Sequence, residues 1–233
     1  MIQNHLLAAL SETEHQKLVS HLTKVSVSLG DVLHQANTEI QYVYFPETCV
    51  ISILSTMEDG STVEVGVVGN EGMLGLRVLL GVKTTPHSAV VQVAGSALRM
   101  SAHLLDQDLK GVASSLRPLL LPYTQALLSQ VSQSVACISQ HSILQRLARW
   151  LLAMRDRAGS NNLELTHELI SLMMGIRRAS ASENVHELHG AGLIATRRGG
   201  IRIVDSQGLE NTACECYRTV KEEYDRLYAE QSR

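Results

Sequence analysis

The distribution of apolar residues changes character along the chain. Between residues 25 and 100, short runs rich in Val, Ile, Leu and Thr alternate with turn signals such as Gly69-Asn70 at a spacing of about ten residues. The clearest runs are 42–45, 50–54, 62–68 and 89–94. Short strands at this spacing are typical of an antiparallel sandwich or barrel. We therefore expect residues 25–100 to form an antiparallel sandwich or barrel.

Helical periodicity replaces this pattern after Ser101. Helices are predicted over about residues 123–141, 142–157 and 209–229, and a short helix capped by Ser11 precedes the strands. In and just before the first long helix, apolar residues recur by three and four, a heptad pattern that usually faces a partner helix. This seam contains Leu121, Thr124, Leu128, Val131, Val135 and Ile138. We expect it to form a homodimer interface; the alternative is that it packs on the β-domain of its own chain.

Two short helices joined by a sharp turn are predicted between residues 165 and 194. Thr166 can cap the first helix through its hydroxyl, and Gly175 can supply the positive φ that such a turn often needs. Ala181 and Val185 begin the buried stripe of the second helix. Its polar face and edge carry Arg177, Arg178, Ser182, Glu183 and His186. The pattern predicts a helix-turn-helix able to enter a DNA major groove, the alternative being an αα-hairpin within a helical domain.

A β-hairpin is predicted directly after the second helix. Two short strands flank Gly199-Gly200 within residues 196–204. Arg197, Arg198 and Arg202 lie on this hairpin. A basic hairpin in this position is typical of a wing, and it favours the DNA-binding interpretation over the αα-hairpin.

The charge is unevenly distributed. The whole chain carries a formal charge of −3. Residues 141–205 contain nine arginines, no lysine and six acidic residues, which gives +3 and leaves −6 for the remainder. We therefore expect salt-sensitive DNA binding with few phosphate contacts per subunit.

Composition argues against several other classes of protein. No run of 18 apolar residues occurs, so no membrane span is predicted. The N-terminal residues lack a basic region before a long apolar run, so we expect no secretory signal and a cytoplasmic location. The sequence contains no H-E-x-x-H or P-loop motif, and we find no nucleophile–base pair, so we do not expect an enzyme.

The four cysteines do not suggest a disulfide framework. They are Cys49, Cys137, Cys214 and Cys216. Cys214 and Cys216 form a C-x-C pair that could share a metal, but no second Cys/His pair accompanies it at zinc-finger spacing. We therefore interpret the pair as small apolar residues on or beside a helix, and expect neither a metal site nor a cofactor.

The order of β-roll, long helix and winged helix-turn-helix resembles the Crp/Fnr superfamily of bacterial transcription regulators. Four segments carry the resemblance: GDVL at 30–33, the cassette-like loop GNEGMLGL at 69–76, LQRLARWLL at 144–152 and the helix-turn-helix at 165–194. The resemblance implies an α+β fold with an N-terminal antiparallel, cyclic-nucleotide-binding-like β-roll and a C-terminal winged helix-turn-helix. On this basis we expect a sensor domain over 1–117, a dimerisation helix over 118–141, and a DNA-binding domain with a C-terminal helix over 142–233.

The resemblance also implies an effector pocket, formed here by Glu71, Gly72, Met73, His87, Ser88 and Thr124. Family members that bind cyclic AMP have a glutamate where Met73 stands and an arginine where His87 stands. Met73 cannot accept hydrogen bonds from a ribose, and His87 lacks the permanently charged fork that grips a phosphate. Glu71, one residue away, could contact the ribose only in a shifted register. We therefore do not expect cyclic AMP to bind in the usual way, and the effector remains unknown.

Other family sensors are also poorly matched. The family's iron–sulfur cluster uses cysteines near the N-terminus, and no cysteine precedes Cys49 here. His87 or His103 could ligate haem, although a lone histidine near a sheet is usually structural.

The resemblance assigns DNA contacts residue by residue. Arg178 matches an arginine that contacts a guanine edge, and Thr166 and Ser180 match positions that hold phosphates. Ala179 and Glu183 depart from the family pattern, so we expect a different half-site from that of the cyclic AMP receptor. From charge and placement alone, we add Arg177, Arg197 and Arg198 to the predicted contacts.

The sequence thus predicts a homodimeric, sequence-specific transcription regulator that binds a palindromic operator in double-stranded DNA. RNA polymerase is a further candidate partner, and no membrane is involved. The alternative is a ligand-binding signalling module, for another nucleotide or for haem, whose helix-turn-helix mediates protein contacts.

Overall fold

The N-terminal half of the chain is an antiparallel roll of two sheets. Its strands are β1 (Thr23–Val27), β2 (Val32–His34), β3 (Tyr42–Pro46), β4 (Val50–Thr56), β5 (Thr62–Val68), β6 (Ser88–Val93) and β7 (Gly95–Ser101). One sheet has the order β1-β7-β3 and the other β2-β6-β4-β5. Apolar side chains from both sheets, including Val27, Ile51 and Val91, pack together between them. This computed structural model, which describes residues 3–111 and 114–231, confirms the predicted β-roll.

Two helices precede the strands of the roll in the sequence, and two follow them. They are α1 (His5–Ala8), α2 (Glu12–Val19), α3 (Ala102–Lys110) and α4 (Arg117–Gln140). Ser11 caps α2 as predicted, in a capping box with Glu14. The helix α4 begins earlier than the predicted residue 123, because Pro118 lies in its first turn, where a missing N–H removes no intrahelical hydrogen bond.

The C-terminal half contains the predicted winged helix-turn-helix. Its elements are α5 (Ile143–Ala158), β8 (Asn162–Leu163), α6 (His167–Met174), α7 (Arg178–Gly190), β9 (Ile194–Arg197), β10 (Gly200–Ile203), α8 (Ser206–Thr212) and α9 (Cys216–Gln231). Gly175 ends α6 with φ of 62°, the left-handed conformation that the turn requires. The strands β8, β10 and β9 form the wing sheet in that order.

The predicted continuous helix over 209–229 is wrong. It is divided into α8 and α9, and Cys214 lies in the break. Cys214 and Cys216 both face Cys137 of α4 in one small buried cluster. Residues two apart point to different sides of a helix, so both thiols can face α4 only where the backbone is not helical.

The two halves share a hydrophobic core. Val50 and Val67 of the β-roll pack in one cluster with Leu147, Trp150 and Met173 of the C-terminal half. The last helix, α9, packs along α4, and its Tyr224 and Leu227 join a second cluster that also contains Phe45 of β3 and Leu105 of α3. The C-terminal half is therefore docked onto the roll along β4 and β5. No helix among the described residues is long and apolar enough to cross a membrane.

Candidate nucleic-acid interface and sensor site

The N-terminal end of α7 carries an exposed polar face. Arg177 is the N-cap residue in an extended conformation, and Arg178 opens the helix. Both arginines are exposed, as are Glu183 and His186. On the opposite face, Ala181, Val185 and Leu188 are buried as predicted. The second helix thus presents the side chains predicted to face DNA to solvent.

Predicted contact residues from three elements surround one shallow depression of about 320 Å³. Arg178 of α7, Thr166 at the start of α6 and Arg197 of the wing line it. The Thr166 hydroxyl accepts a hydrogen bond from the Leu169 N–H at 3.1 Å and caps α6. Arg178 and Arg197 beside the N-terminus of α6 favour an anion there, and the Glu168 carboxylate of the first turn, which also lines the depression, opposes one.

Other predicted contact residues have structural partners. Ser182 shares a 3.0 Å hydrogen bond with the His167 ring, a residue that the sequence analysis did not identify. The backbone carbonyl of Ser180 accepts a hydrogen bond from Asn184 at 2.8 Å, and the Ser180 side chain is half-buried. In the wing, Arg198 is exposed at the turn between β9 and β10. His167 could have been found from its helical spacing, because it follows the cap on the face toward α7.

The nine arginines of residues 141–205 are divided between this interface and α5. Arg146, Arg149, Arg155 and Arg157 of α5 are buried or half-buried. Arg146, for example, donates a hydrogen bond to the Met174 carbonyl at 2.9 Å. The exposed arginines of the interface are Arg177, Arg178, Arg197, Arg198 and Arg202. Helical periodicity could not show that these arginines have distant partners within the chain, such as Tyr217 for Arg155 and Glu71 for Arg157.

The cassette loop is tightly filled by protein side chains. Met73 is buried, and a Cβ added at Gly72 would collide with the Tyr123 hydroxyl. Tyr123 itself is fully buried, and its hydroxyl donates to the Met73 carbonyl at 3.3 Å. Burial raises the pKa of Tyr123 well above its ordinary value. The glycine is therefore required by the close approach of α4.

The carboxylate of Glu71 is held by the C-terminal half of the chain. Arg157 of α5 donates to it through Nε at 2.8 Å, and the two side chains are buried. Arg157 also donates to the Gln130 side-chain oxygen at 2.7 Å, and Gln130 donates to the Val67 carbonyl at 3.0 Å. Burial disfavours the Arg157 charge, but the Glu71 carboxylate raises the pKa of Arg157 overall. This network connects the cassette loop, α4, β5 and α5.

The other predicted pocket residues lie apart from this network. His87 and Ser88 are half-buried near the start of β6, where Ser88 accepts a hydrogen bond from the Ala36 N–H at 3.3 Å. Thr124 donates to the Leu120 carbonyl of its own helix at 2.7 Å.

A cleft of about 350 Å³ lies between β5 and helices α4, α5 and α9. Glu64 of β5 lines it and accepts hydrogen bonds from Ser52 at 2.5 Å and Trp150 at 3.1 Å. Burial raises the pKa of Glu64 above its ordinary value, although both hydrogen bonds favour the carboxylate. This cleft was not predicted from the sequence, because it forms only when α5 docks on the β-roll.

Most of the predicted seam on α4 is exposed. Leu121, Leu128, Val135 and Ile138 are between 50% and 67% exposed, which is unusual for residues of this type. Val131 differs, since it is half-buried and lies toward Gly66 of β5. Within one chain, Val131 therefore lies against the β-roll, whereas Leu121, Leu128, Val135 and Ile138 face outward.

The structure brings together a group of potential metal ligands that the sequence analysis missed. Cys137 and His141, one helical turn apart at the end of α4, lie beside Cys214 and Cys216, with the ligand atoms all within 4.8 Å of one another. The Cys/His pair that accompanies the C-x-C motif in space lies far from zinc-finger spacing in the sequence, which is where a second pair was expected to be absent. The i, i+4 spacing of Cys137 and His141 was the available signal, but nothing local connects it to a motif more than 70 residues away.

Two domain families match the chain. The model of the cyclic nucleotide-binding domain matches residues 24–110, and that of the Crp-like helix-turn-helix domain matches residues 145–212. No curated protein matches the chain significantly in sequence.

Several solved structures have a similar fold. FixK2 from Bradyrhizobium japonicum has a TM-score of 0.70 at 18% identity, covering 83% of this chain and 98% of that one. A transcriptional regulator of the Crp/Fnr family from Eubacterium rectale has a TM-score of 0.65 at 20% identity, covering 89% and 96%. The c-di-GMP responsive global regulator CLP of Xanthomonas campestris has a TM-score of 0.65 at 14% identity, covering 83% and 99%.

The chain combines a cyclic-nucleotide-binding-type β-roll with a winged helix-turn-helix, and a long helix joins the two. This combination defines a class of two-domain transcription regulators. The chain belongs to the Crp/Fnr superfamily within that class.

Proposed function

We propose that the protein is a homodimeric transcription regulator that inserts α7 into the major groove of a palindromic operator. The observation that carries this proposal is the position of Arg178. It is exposed at the first residue of α7, and it shares a depression with the α6 cap Thr166 and the wing residue Arg197. In a groove-inserted helix, the N-terminal residues contact base edges.

Arg178 and the wing have different roles in this proposal. The Arg178 guanidinium contacts the O6 and N7 atoms of a guanine, a bidentate interaction that discriminates between bases. Thr166, Ser180, Arg197 and Arg198 contact phosphates, which fixes the position of the protein without selecting a sequence. Arg177 and Glu183 flank Arg178 on the exposed face and are assigned to the same groove.

The test is DNA binding by single variants on a selected operator and on each single-base change of it. Arg178→Ala should cost about 1–3 kcal/mol per half-site and relax the preference at one base pair. Arg198→Ala should weaken binding to all sequences alike and reduce the salt slope by about one unit per subunit. Arg218→Ala, an exposed arginine of α9, serves as the matched control and should change neither. An even loss of affinity across all sequences for Arg178→Ala would show that α7 is not docked in this way.

The exposed stripe on α4 supports the homodimer. Leu128, Val135 and Ile138 recur along one face of a helix of 24 residues and would lose their exposure against the same face of a second copy. A dimer about α4 would also present two copies of α7, as a palindromic operator requires.

We further propose that the sensor domain does not use cyclic AMP in the usual way. Met73 is buried and offers a ribose no hydroxyl or carboxylate acceptor. Glu71 is also buried, and Arg157 engages one of its two oxygens, Oε1. CLP, which has a similar fold, is described as responsive to c-di-GMP, so the fold is compatible with other effectors. Calorimetry should show no low-micromolar binding of cyclic AMP, and such binding would contradict this part of the proposal.

A further inference from the structure

The cysteine–histidine cluster lies where three segments of the chain meet. Cys137 belongs to the last turn of α4, and His141 is the residue that ends this helix. Cys214 lies in the break between α8 and α9, and Cys216 is the first residue of α9. All three cysteines are buried, and the His141 side chain is 15% exposed. The cluster is thus enclosed by protein, and its partly accessible side is at His141.

The distances within the cluster are close to those of a tetrahedral metal site. The Cys137 and Cys214 sulfurs are 3.5 Å apart, and the Cys216 sulfur is 3.7 Å from Nδ1 of His141. In a tetrahedron with zinc–sulfur bonds of about 2.3 Å, neighbouring sulfurs are about 3.8 Å apart. The longest separation in the cluster is within 4.8 Å, so small side-chain rotations would bring every ligand atom to bonding distance.

Neighbouring groups orient the ligands. His141 presents Nδ1 to the cysteines, while its Nε2 pairs with the Glu215 carboxylate at 3.2 Å. A carboxylate on the outer nitrogen is the usual partner of a metal-bound histidine, since it sets the tautomer and the ring orientation. Gln133 donates to the Cys216 sulfur at 3.0 Å. Arg146 and Arg149 of α5 lie close enough to interact favourably with a Cys137 thiolate, and so would offset the negative charge of a three-thiolate site.

We propose that Cys137, His141, Cys214 and Cys216 bind one Zn²⁺ ion in a structural site. Three thiolates and one imidazole match the ligand preference and tetrahedral geometry of zinc. Four protein ligands leave no open position, so the site supports structure and not catalysis. The ion would tie the start of α9 and the α8–α9 break to the end of α4, next to the junction between the sensor half and α5. Thiol protons are released to solvent on binding.

The first experiment uses the full-length wild-type chain, stripped of metal under reducing conditions and titrated with Co²⁺ and then Zn²⁺. Cobalt should give the absorption bands of tetrahedral, thiolate-bound Co²⁺, and Zn²⁺ should abolish them at one equivalent per chain. Absence of these bands would overturn the proposal. So would Co²⁺ bands characteristic of six oxygen or nitrogen ligands.

Variants test whether the named residues bind the ion. Cys216→Ala should weaken zinc binding by more than about 100-fold, because a ligand contributes more than a neighbour that only orients one. Cys49→Ala is the matched control, since Cys49 is equally buried but lies outside the cluster. Equal loss of metal in both variants would contradict the assignment.

A variant at an exposed neighbour separates metal binding from folding. The Glu215 side chain is 69% exposed, so Glu215→Gln should leave the circular dichroism spectrum unchanged and weaken zinc binding by about 10–100-fold. Glu222→Gln, an exposed glutamate of α9, should bind zinc normally. A Cys137–Cys214 disulfide, found by mass spectrometry in protein whose other cysteines are reduced, would overturn the proposal, because two of the four ligands would be oxidised. Since the readout is metal binding, neither result depends on the proposed DNA-binding function.

Discussion

Replacement of Arg157 by leucine should strongly destabilise the protein. Arg157 is buried at the junction of the two halves, where it donates to Glu71 at 2.8 Å and to Gln130 at 2.7 Å. Arg157→Leu keeps an apolar stem but removes these two hydrogen bonds, a third to the Ala153 carbonyl, and the positive charge. The Glu71 carboxylate then stays buried without its arginine. The Gly69 N–H, at 3.2 Å, is the hydrogen-bond donor left to Oε1, the oxygen that Arg157 had engaged.

The expected magnitude follows from the buried ion pair. Removing one partner of a buried pair costs about 3–5 kcal/mol, because the other charge stays desolvated without compensation. A typical domain has a free energy of unfolding of only about 5–15 kcal/mol, so a large fraction would be lost. If the uncompensated charge is the cause, the double variant Glu71→Leu/Arg157→Leu should recover much of the loss.

Urea unfolding at fixed protein concentration measures the effect. Trp150 is the single tryptophan of the chain and packs in the core shared by the two halves, so its fluorescence reports on their separation. Circular dichroism gives a second probe of the same transition. Arg218→Leu, at an exposed arginine, should change the free energy of unfolding by no more than about 0.5 kcal/mol. A loss below about 1 kcal/mol for Arg157→Leu, or a double variant less stable than the single one, would refute the reasoning.

Three further outcomes are expected. Val135→Asp puts a carboxylate into the proposed dimer interface, where burying a charge without a partner costs about several kcal/mol. Sedimentation should therefore show a monomer. A dimer as stable as that of the wild type would place the interface elsewhere. The folded-state pKa of Glu64 lies above its unfolded value near 4.5, so the stability of the wild type should fall as pH rises through the interval between these two values. Glu64→Gln should remove this fall from unfolding curves measured at several pH values. An unchanged pH profile would contradict the assignment. Gly72→Ala should lower the free energy of unfolding by about 1–3 kcal/mol, measured by thermal unfolding, because the new Cβ collides with Tyr123. Gly190→Ala is the control, since a Cβ there meets open space, and it should be neutral or slightly stabilising. Equal effects of the two variants would show that the cassette loop can move to accept the methyl group.

The sequence by itself determined the elements whose signals are local. The strands of the β-roll follow from short apolar runs between turns, and the helix-turn-helix follows from the Thr166 cap, Gly175 and the stripe on α7. Each of these signals depends on residues within a few positions of one another, where backbone geometry and side-chain periodicity act directly. The order of the elements was then sufficient to indicate the family.

Only the tertiary structure decided which distant residues meet. The periodicity of α5 marks an apolar face but cannot show that Arg157 crosses to Glu71 of the cassette loop, 86 residues away. In the same way, Cys137 and His141 share a helical turn, yet only the packing of α9 along α4 brings Cys214 and Cys216 to them. The division of the last helix into α8 and α9 at Cys214 accompanies that packing. Contacts of this kind depend on how completed elements dock, which is determined by the burial of whole faces and not by any local pattern.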